Sequence, residues 1–322
     1  MQASLALTLG MDSTQQAFVQ AVEVWTPDGN MLQRQSGAYG QLTEFAEASA
    51  DLTLEKGQGL PGAAYRSMRP EVWHELGIGF VRQQSARLSG LSAAVALPWF
   101  RGNTLTAVVV FLCGSREQTG GCIEVWEPNE QKLLVHMDGY YGRLSTFEDV
   151  SRVMRFPRGQ GLPGIVWEHA APHIMEDLAA SSSFMRASAA RESGVTSGLG
   201  VPLLVGGQVQ HVVTLLSAAS TPLARAFEIW TPDAQGQLQI TQSCYAPGMS
   251  ALRDECGNAG FRVAVDVAGR VSDTGIPWAL SCTEPMPSYA RAELARELGL
   301  SFAVGLPVHD DDRLRSVVVM FC

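Results

Sequence analysis

A seven-residue phrase occurs three times in this chain, and that recurrence limits the fold more than any other property of the sequence. Val22-Glu23-Val24-Trp25-Thr26-Pro27-Asp28 returns as Ile123-Glu124-Val125-Trp126-Glu127-Pro128-Asn129, then as Phe227-Glu228-Ile229-Trp230-Thr231-Pro232-Asp233. The Trp-to-Trp steps are 101 and 104 residues. A period of ~100 residues is the size of a small domain, so the chain is expected to hold three copies of one folding unit.

Other landmarks keep the same phase. Gly57-Gln58-Gly59-Leu60-Pro61-Gly62 recurs unchanged as Gly159-Gln160-Gly161-Leu162-Pro163-Gly164, whereas the third copy reads Asp266-Val267-Ala268-Gly269 and keeps only the last glycine. Eight residues separate that glycine from Pro70, Pro172 and Pro277, and a second proline follows at Pro98, Pro202 and Pro307. Each copy closes on an apolar stretch ending at Cys113, Ser217 or Cys322.

In the second copy, Cys122–Trp126 alternates and runs into Pro128-Asn129, which predicts a strand, a turn and a returning strand over 132–137. A helix is expected over 147–154. The glycine loop at 159–164 leads into a short helix over 165–168, glycines allowing positive φ and Pro163 setting a turn. A short strand over 172–176, a helix over 184–193 ended by Gly194, and two strands over 199–205 and 209–217 joined at Gly206-Gly207 complete the unit. Helices that interrupt hairpins predict α+β with an antiparallel sheet rather than alternating βαβ. Ser4–Leu9 resembles a fourth closing strand, and the short links leave open which copy each linking strand joins.

The chain's 46% apolar and 17% charged residues suit packed cores, and its net charge of −9 disfavours phosphate backbones and anionic lipid. Neither nucleic acid nor membrane is expected as a partner, because no run approaches the ~18 apolar residues of a membrane span. Met1-Gln2-Ala3-Ser4 lacks the basic start of a leader. The six cysteines form no C-x-x-C pair, so a cytoplasmic protein with reduced, space-filling thiols is expected.

The ordered motifs resemble the GAF domain family. They are Gly159–Trp167, Pro172–Asp177, Phe184–Arg191, Gly194–Ser197 and Val201–Gly207 in the second copy, with Gly57–Gly62, Pro70–Glu75, Gly90–Ser92 and Leu97-Pro98 in the first. The third matches at Gly299–Ser301 and Gly305–Val308. The resemblance implies three tandem GAF-like domains, 1–114, 115–218 and 219–322, each a central antiparallel sheet flanked by helices, the third with a degenerate glycine loop. It also implies sensory proteins with a ligand between sheet and helices; cyclic nucleotides, bilins, haem and small metabolites are the family's ligand classes. This chain carries neither a Cys-His neighbour for a bilin nor the Asn-Lys-Phe-Asp-Glu signature of cyclic-nucleotide copies, and no cofactor is assigned. Clustered cysteines suited to a sulfoxide reductase occur only in the third copy, as Cys244, Cys256, Cys282 and Cys322.

Candidate ligand residues come from the two intact copies. Tyr65 and Trp167 lie on the short helix after the loop, Trp73 and Met175 on the short strand, and Glu75 and Asp177 just beyond it, where Cys282 stands in the third copy. An acid there has two roles open to it, holding a ligand amine or capping a turn. Phe80 and Phe184 start the next helix, followed by Arg82 and Arg186, matched by Arg291, with a second arginine row at Arg87, Arg191 and Arg296. Rows five apart point in different directions; by default they are solvated, and the alternatives are a ligand anion or an interdomain acid. The glycine loop serves either as a tight start to the helix or as an anion cradle. The expectation is a non-enzymatic small-molecule-sensing or regulatory protein acting through a protein partner or homodimer. The alternatives are a ligand-free dimerisation scaffold and thiol-redox chemistry in the third copy.

Overall fold

The computed structural model describes residues 17–256, 266–286 and 289–322. The first copy runs β1 (Val19–Asp28), β2 (Met31–Ala38), α1 (Thr43–Glu47), β3 (Thr53–Glu55), α2 (Gly59–Ser67), β4 (Glu71–Trp73), α3 (Gln83–Leu88), β5 (Ala93–Arg101) and β6 (Thr104–Cys113). The second runs β7 (Gly120–Pro128), β8 (Leu134–Gly142), α4 (Ser145–Val153), β9 (Arg155–Phe156), α5 (Gly161–His169), β10 (His173–Met175), α6 (Ala187–Ser193), β11 (Val195–Val205) and β12 (Gln208–Ala218). The third comprises β13 (Ala226–Pro232), β14 (Leu238–Tyr245), α7 (Ser250–Glu255), α8 (Val267–Thr274), β15 (Trp278–Ser281), α9 (Ala290–Glu297), β16 (Phe302–Asp310) and β17 (Arg313–Phe321). Ser4–Leu9 lies outside the described residues.

Three antiparallel sheets result, with one spatial order. It is β3-β2-β1-β6-β5-β4 in the first, β9-β8-β7-β12-β11-β10 in the second and, among the described residues, β14-β13-β17-β16-β15 in the third. The fold is α+β. Each closing strand pairs with the opening strand of its own copy, as Phe111 with Val22, Leu215 with Ile123 and Met320 with Phe227. That settles which copy the linking strands join. Even the irregularities repeat, since the opening hairpin carries a register shift just before Trp25, Trp126 and Trp230. Two elements escaped the sequence reading, the short strands β3 and β9, which add an edge strand of three residues to the first sheet and of two to the second.

Alternation along the opening strands decides what each sheet face meets. Trp25, Trp126 and Trp230 face the helices and sit in separate cores, one per copy. Val22, Val24, Ile123, Val125, Phe227 and Ile229 face the other way, into a single core shared by all three sheets. The tryptophans therefore pack inside their own copies and do not cover the junctions.

The glycines of the repeated loop answer to two different demands. Gly59 and Gly161 sit at positive φ. Gly62 and Gly164 are needed for space instead, because a Cβ there would lie 2.4 Å from the Glu55 carbonyl oxygen and 2.2 Å from that of Pro157. The loop closes on itself through Gly57 N–H to Gly62 O, 2.7 Å, and Gly159 N–H to Gly164 O, 2.9 Å. Those amides are spent within the turn. In the third copy Asp266 replaces the loop and caps α8, accepting from Val267 N–H at 2.7 Å.

The sheets meet in a closed ring. Strand β4 of the first lies against β8 of the second, β10 of the second against β14 of the third, and β15 of the third returns to β2 of the first. A side chain fastens each contact. Gln242 Oε1 accepts from Ile174 N–H at 3.0 Å, Ser36 Oγ accepts from Ala279 N–H at 3.1 Å, and His74 Nε2 meets Asp138 Oδ1 at 3.0 Å. Ile174 and Ala279 occupy corresponding places, two residues after Pro172 and Pro277. Edge-strand amides that would otherwise be unpaired are thereby satisfied. At one end of the axis the hairpin turns join, Gly102 N–H to Asp311 O at 2.9 Å and Gly206 N–H to Gly102 O at 3.0 Å.

Candidate functional site

Inside each copy, the place between sheet and helices holds a buried ion pair. Glu23, Glu124 and Glu228 on the opening strands share the helix-facing side with the tryptophans two residues on, and each is fully buried. Arg82, Arg186 and Arg291, at the start of α3, α6 and α9, reach in to pair with them. Trp25 Nε1 donates to Glu23 at 3.0 Å and Trp230 Nε1 to Glu228 at 2.9 Å, while Tyr39 and Tyr245 hydroxyls donate at 2.9 and 2.6 Å. In the second copy Thr214 relays the contact, taking a bond from Trp126 Nε1 at 3.2 Å and donating to Glu124 at 2.6 Å. Ser151 accepts from Arg186 at 2.5 Å, Ser49 plays the same part for Arg82, and Arg291 instead binds Leu252 O at 3.1 Å and Asp266 at 2.9 Å. Burial pushes the Glu23 and Glu124 carboxyls up, but the charge and hydrogen bonds of Arg82 and Arg186 more than offset it and hold both below the ordinary range.

Charges taken so far from water are stabilised only by such close pairing, although the Nε of Arg82 and of Arg186 is left without a partner among the described residues. These arginines, expected by default on a solvated face, are thus among the most enclosed side chains, whereas Arg87 and Arg191 of the other row are exposed. The glutamates were missed in the sequence, although an acid kept at the same place in three apolar strands was the available signal.

The remaining candidates scatter around these centres. Phe80 and Phe184 are buried with the guanidiniums of Arg82 and Arg186 over their rings at 5.4 and 5.2 Å. Trp73 is half-buried and edge-on to Phe80, and Tyr65 donates to Gly29 O at 2.6 Å. Trp167 and Met175 belong to the apolar core of the second copy. Glu75 is exposed. Asp177 is exposed too, in a turn at φ +46°, and it leaves the core beside Met175 for a different place, a cleft between the second and third copies.

That cleft has a volume of about 600 Å³ and is bounded by Glu176, Asp177, Thr196, Ser197, Ser217, Arg225, Phe227, Cys244 and Tyr245, with Pro222 and Pro247 at its sides. A recess of about 290 Å³ adjoins it past Glu176 and Tyr245 and reaches Arg253. The corresponding junction of the first and second copies is closed by other residues. There Tyr140 stacks on Phe18 at 5.5 Å and donates to Gly114 O at 2.8 Å. Pairing register makes Cys244 the counterpart of Tyr140, since each faces the residue before the buried glutamate, Ile123 or Phe227. By the same spacing Thr119 stands for Phe18, and Arg225 for Gly121, against which the Phe18 ring rests. Glu176 and Gln242 take the places of the paired His74 and Asp138. Two aromatic rings and an ion pair are therefore replaced by smaller or unpaired groups.

Among the described residues no side-chain partner binds Arg225, Glu176 or Asp177. The Cys244 thiol is half-buried in the wall, and burial together with the negative Glu176 holds it above the ordinary thiol range. Burial pushes Cys256 and Cys282 up to about 12 as well, opposite to the shift that makes a thiol nucleophilic.

Each copy thus combines an antiparallel sheet, helices on one face and a helix-facing Arg–Glu pair. No protein-family model matches the chain, and no curated protein sequence matches it. Similar structures include a GAF domain of Aquifex aeolicus nlh2 in an inactive state, at 22% identity over 30% of this chain and 58% of that one, TM-score 0.25. A GAF domain/HD domain protein from Geobacter sulfurreducens shares 18% identity over 31% and 65%, TM-score 0.27. Free methionine-R-sulfoxide reductase from Neisseria meningitidis, solved with its substrate, shares 19% over 31% and 53%, TM-score 0.25. The chain spans under two thirds of each of these proteins, and the likeness covers about the length of one copy. They overturn the expectation of a non-enzymatic protein. The similar structures include reductases from Thermoplasma acidophilum and Staphylococcus aureus as well, so excluding an enzyme has no support. No helix among the described residues is long and apolar enough to cross a membrane.

Proposed function

We propose that this chain is a small-molecule-sensing or regulatory protein of three GAF-like domains, 1–114, 115–218 and 219–322, with its ligand between the second and third domains rather than inside any one of them. The supporting observation is the contrast between two equivalent junctions, one packed shut by Phe18 and Tyr140, the other left as a cleft of about 600 Å³. That volume is of the size that holds small ligands. A ligand there touches β10 and the turn after it on one side and β14 on the other, so occupancy bears on how two domains are held. Output then passes to a protein partner or a change of assembly. Of the ten candidates, Asp177 is carried into this site. The buried Arg82 and Arg186 are read as structural, because their terminal nitrogens are already committed to Glu23 and Ser49 or to Glu124 and Ser151, each Nε alone lacking a partner among the described residues. Those filled interiors equally suit a ligand-free interaction scaffold, the second reading.

Native mass spectrometry of the full chain, freshly purified, separates the two readings. Wild type is expected to retain a small molecule released on denaturation, and Cys244→Tyr, which restores the ring found at the sister junction, is expected to lose it with an unchanged circular dichroism spectrum. Equal retention by both proteins, or none by either together with unaltered Cys244 labelling in a metabolite extract, rejects the ligand reading in favour of the scaffold.

A further inference from the structure

Resting on that reading, we infer that the cleft accepts a zwitterion of the amino-acid or short-peptide type, its ammonium group at Glu176 and Asp177 and its carboxylate at Arg225. The lining carries this in its charges. Arg225 is partly buried, yet no side chain among the described residues pairs with it. The most deeply buried arginines of this chain behave otherwise, since Arg82, Arg186 and Arg291 each close on a glutamate. Glu176 and Asp177 border the same space and are likewise unpaired among the described residues. At the sister junction Glu75, the counterpart of Asp177, is likewise exposed without a side-chain partner among the described residues, but the other two charges have no free counterpart. His74 there answers Asp138, and Gly121 occupies the place of Arg225.

A ligand with only an anionic head meets Arg225 but also the repulsion of two carboxylates. One with only an amine leaves the guanidinium unanswered. A molecule bearing both charges satisfies both ends at once, with charge-assisted hydrogen bonds at each. Phe227, Pro222 and Ala224 line the same space, apolar surface suited to the ligand's carbon body, and Ser197 beside Cys244 offers a hydroxyl. The arrangement sits between two copies, and Tyr245 at its border joins it to the third copy's Arg–Glu centre by donating its hydroxyl to Glu228.

Calorimetric titration of the full chain with each of the twenty standard L-amino acids and with glycyl dipeptides tests the class. At least one is expected to bind at one per chain. Its decarboxylated amine and its deaminated acid are each expected to bind more weakly by on the order of tenfold to a hundredfold, the loss of one charge-assisted pair. In Arg225→Ala the parent compound should fall to the level of its amine, and in Asp177→Asn, an exposed position that leaves the fold alone, towards its acid. Should Arg225→Ala not fold, Arg225→Gln serves. The inference is overturned if no amino acid or dipeptide binds in the millimolar range, if either half-molecule binds as well as the parent, or if the Arg225 variant binds unchanged. A retained molecule that is lost in Cys244→Tyr but is not zwitterionic sinks the ligand class and leaves the cleft as the binding place. No cleft-dependent retention at all sinks both.

Discussion

Replacing Arg186 by methionine tests whether the interior of a copy is as dry as its packing implies. Arg186 and Glu124 both have 0% side-chain exposure, so the variant leaves a buried carboxylate with Thr214 as its main remaining donor. Breaking one side of such a pair costs about 3–5 kcal/mol, a large part of the ~5–15 kcal/mol that holds a domain together. Urea unfolding at neutral pH, followed by circular dichroism, reads this directly. Arg186→Met/Glu124→Met, which removes both charges, is expected to recover to within about 1 kcal/mol of wild type. The pH response supplies a second check. In wild type the Glu124 pKa is lowered from 4.5 because Arg186 outweighs burial, so its contribution is whole above that value and is lost as pH falls through the lowered folded pKa. Without Arg186, burial, the largest influence on this carboxyl, is opposed only by the Thr214 hydrogen bond and the weaker effect of His136, so the folded pKa rises and the deficit of the variant shrinks as pH falls and the carboxyl takes up its proton. A cost under about 1 kcal/mol, or a deficit that does not shrink in acid, would refute the claim that these charges are cut off from water.

Two further outcomes follow from the junctions. Tyr140→Cys removes a stacked ring and its hydroxyl bond to Gly114 and should cost about 2–4 kcal/mol in thermal unfolding, while opening a second cleft that a thiol reagent detects at the new cysteine. The His74–Asp138 bridge is partly exposed and worth at most ~1 kcal/mol. Its hydrogen bond raises the His74 pKa above 6.5, so the stability gap between wild type and His74→Gln should be widest below that value and close as pH rises through the raised pKa.

Much of the fold could be read from residues alone, because duplication marks the same element three times. Val22–Asp28 alternates apolar and inward polar residues into a proline turn, and its two repeats confirm the hairpin without any coordinates. Strands β3 and β9 were invisible for a physical reason. At two or three residues they have no period to detect, and their pairing is imposed by Leu32 and Leu134 across the gap. The ring was equally hidden. Its fasteners are Ser36, Asp138 and Gln242, three unlike side chains doing one job, so comparing the repeats cannot align them by type. Glu124 misled because a lone acid in an apolar strand ordinarily points to solvent; the Arg186 that keeps it inside lies 62 residues away. Asp177 was rightly set beside Met175 in sequence, but a left-handed turn at that residue sends the two side chains to different neighbours.

The return of β15 to β2 has a consequence for how this architecture can change over time. A stack of repeats lengthens by adding another unit at either end, because every end is alike. Here the third copy has already met the first, through β15 against β2. A fourth insertion would have no seat. Another unit could enter the ring only by breaking one of its edge contacts, so divergence of individual junctions is the change that keeps the ring intact.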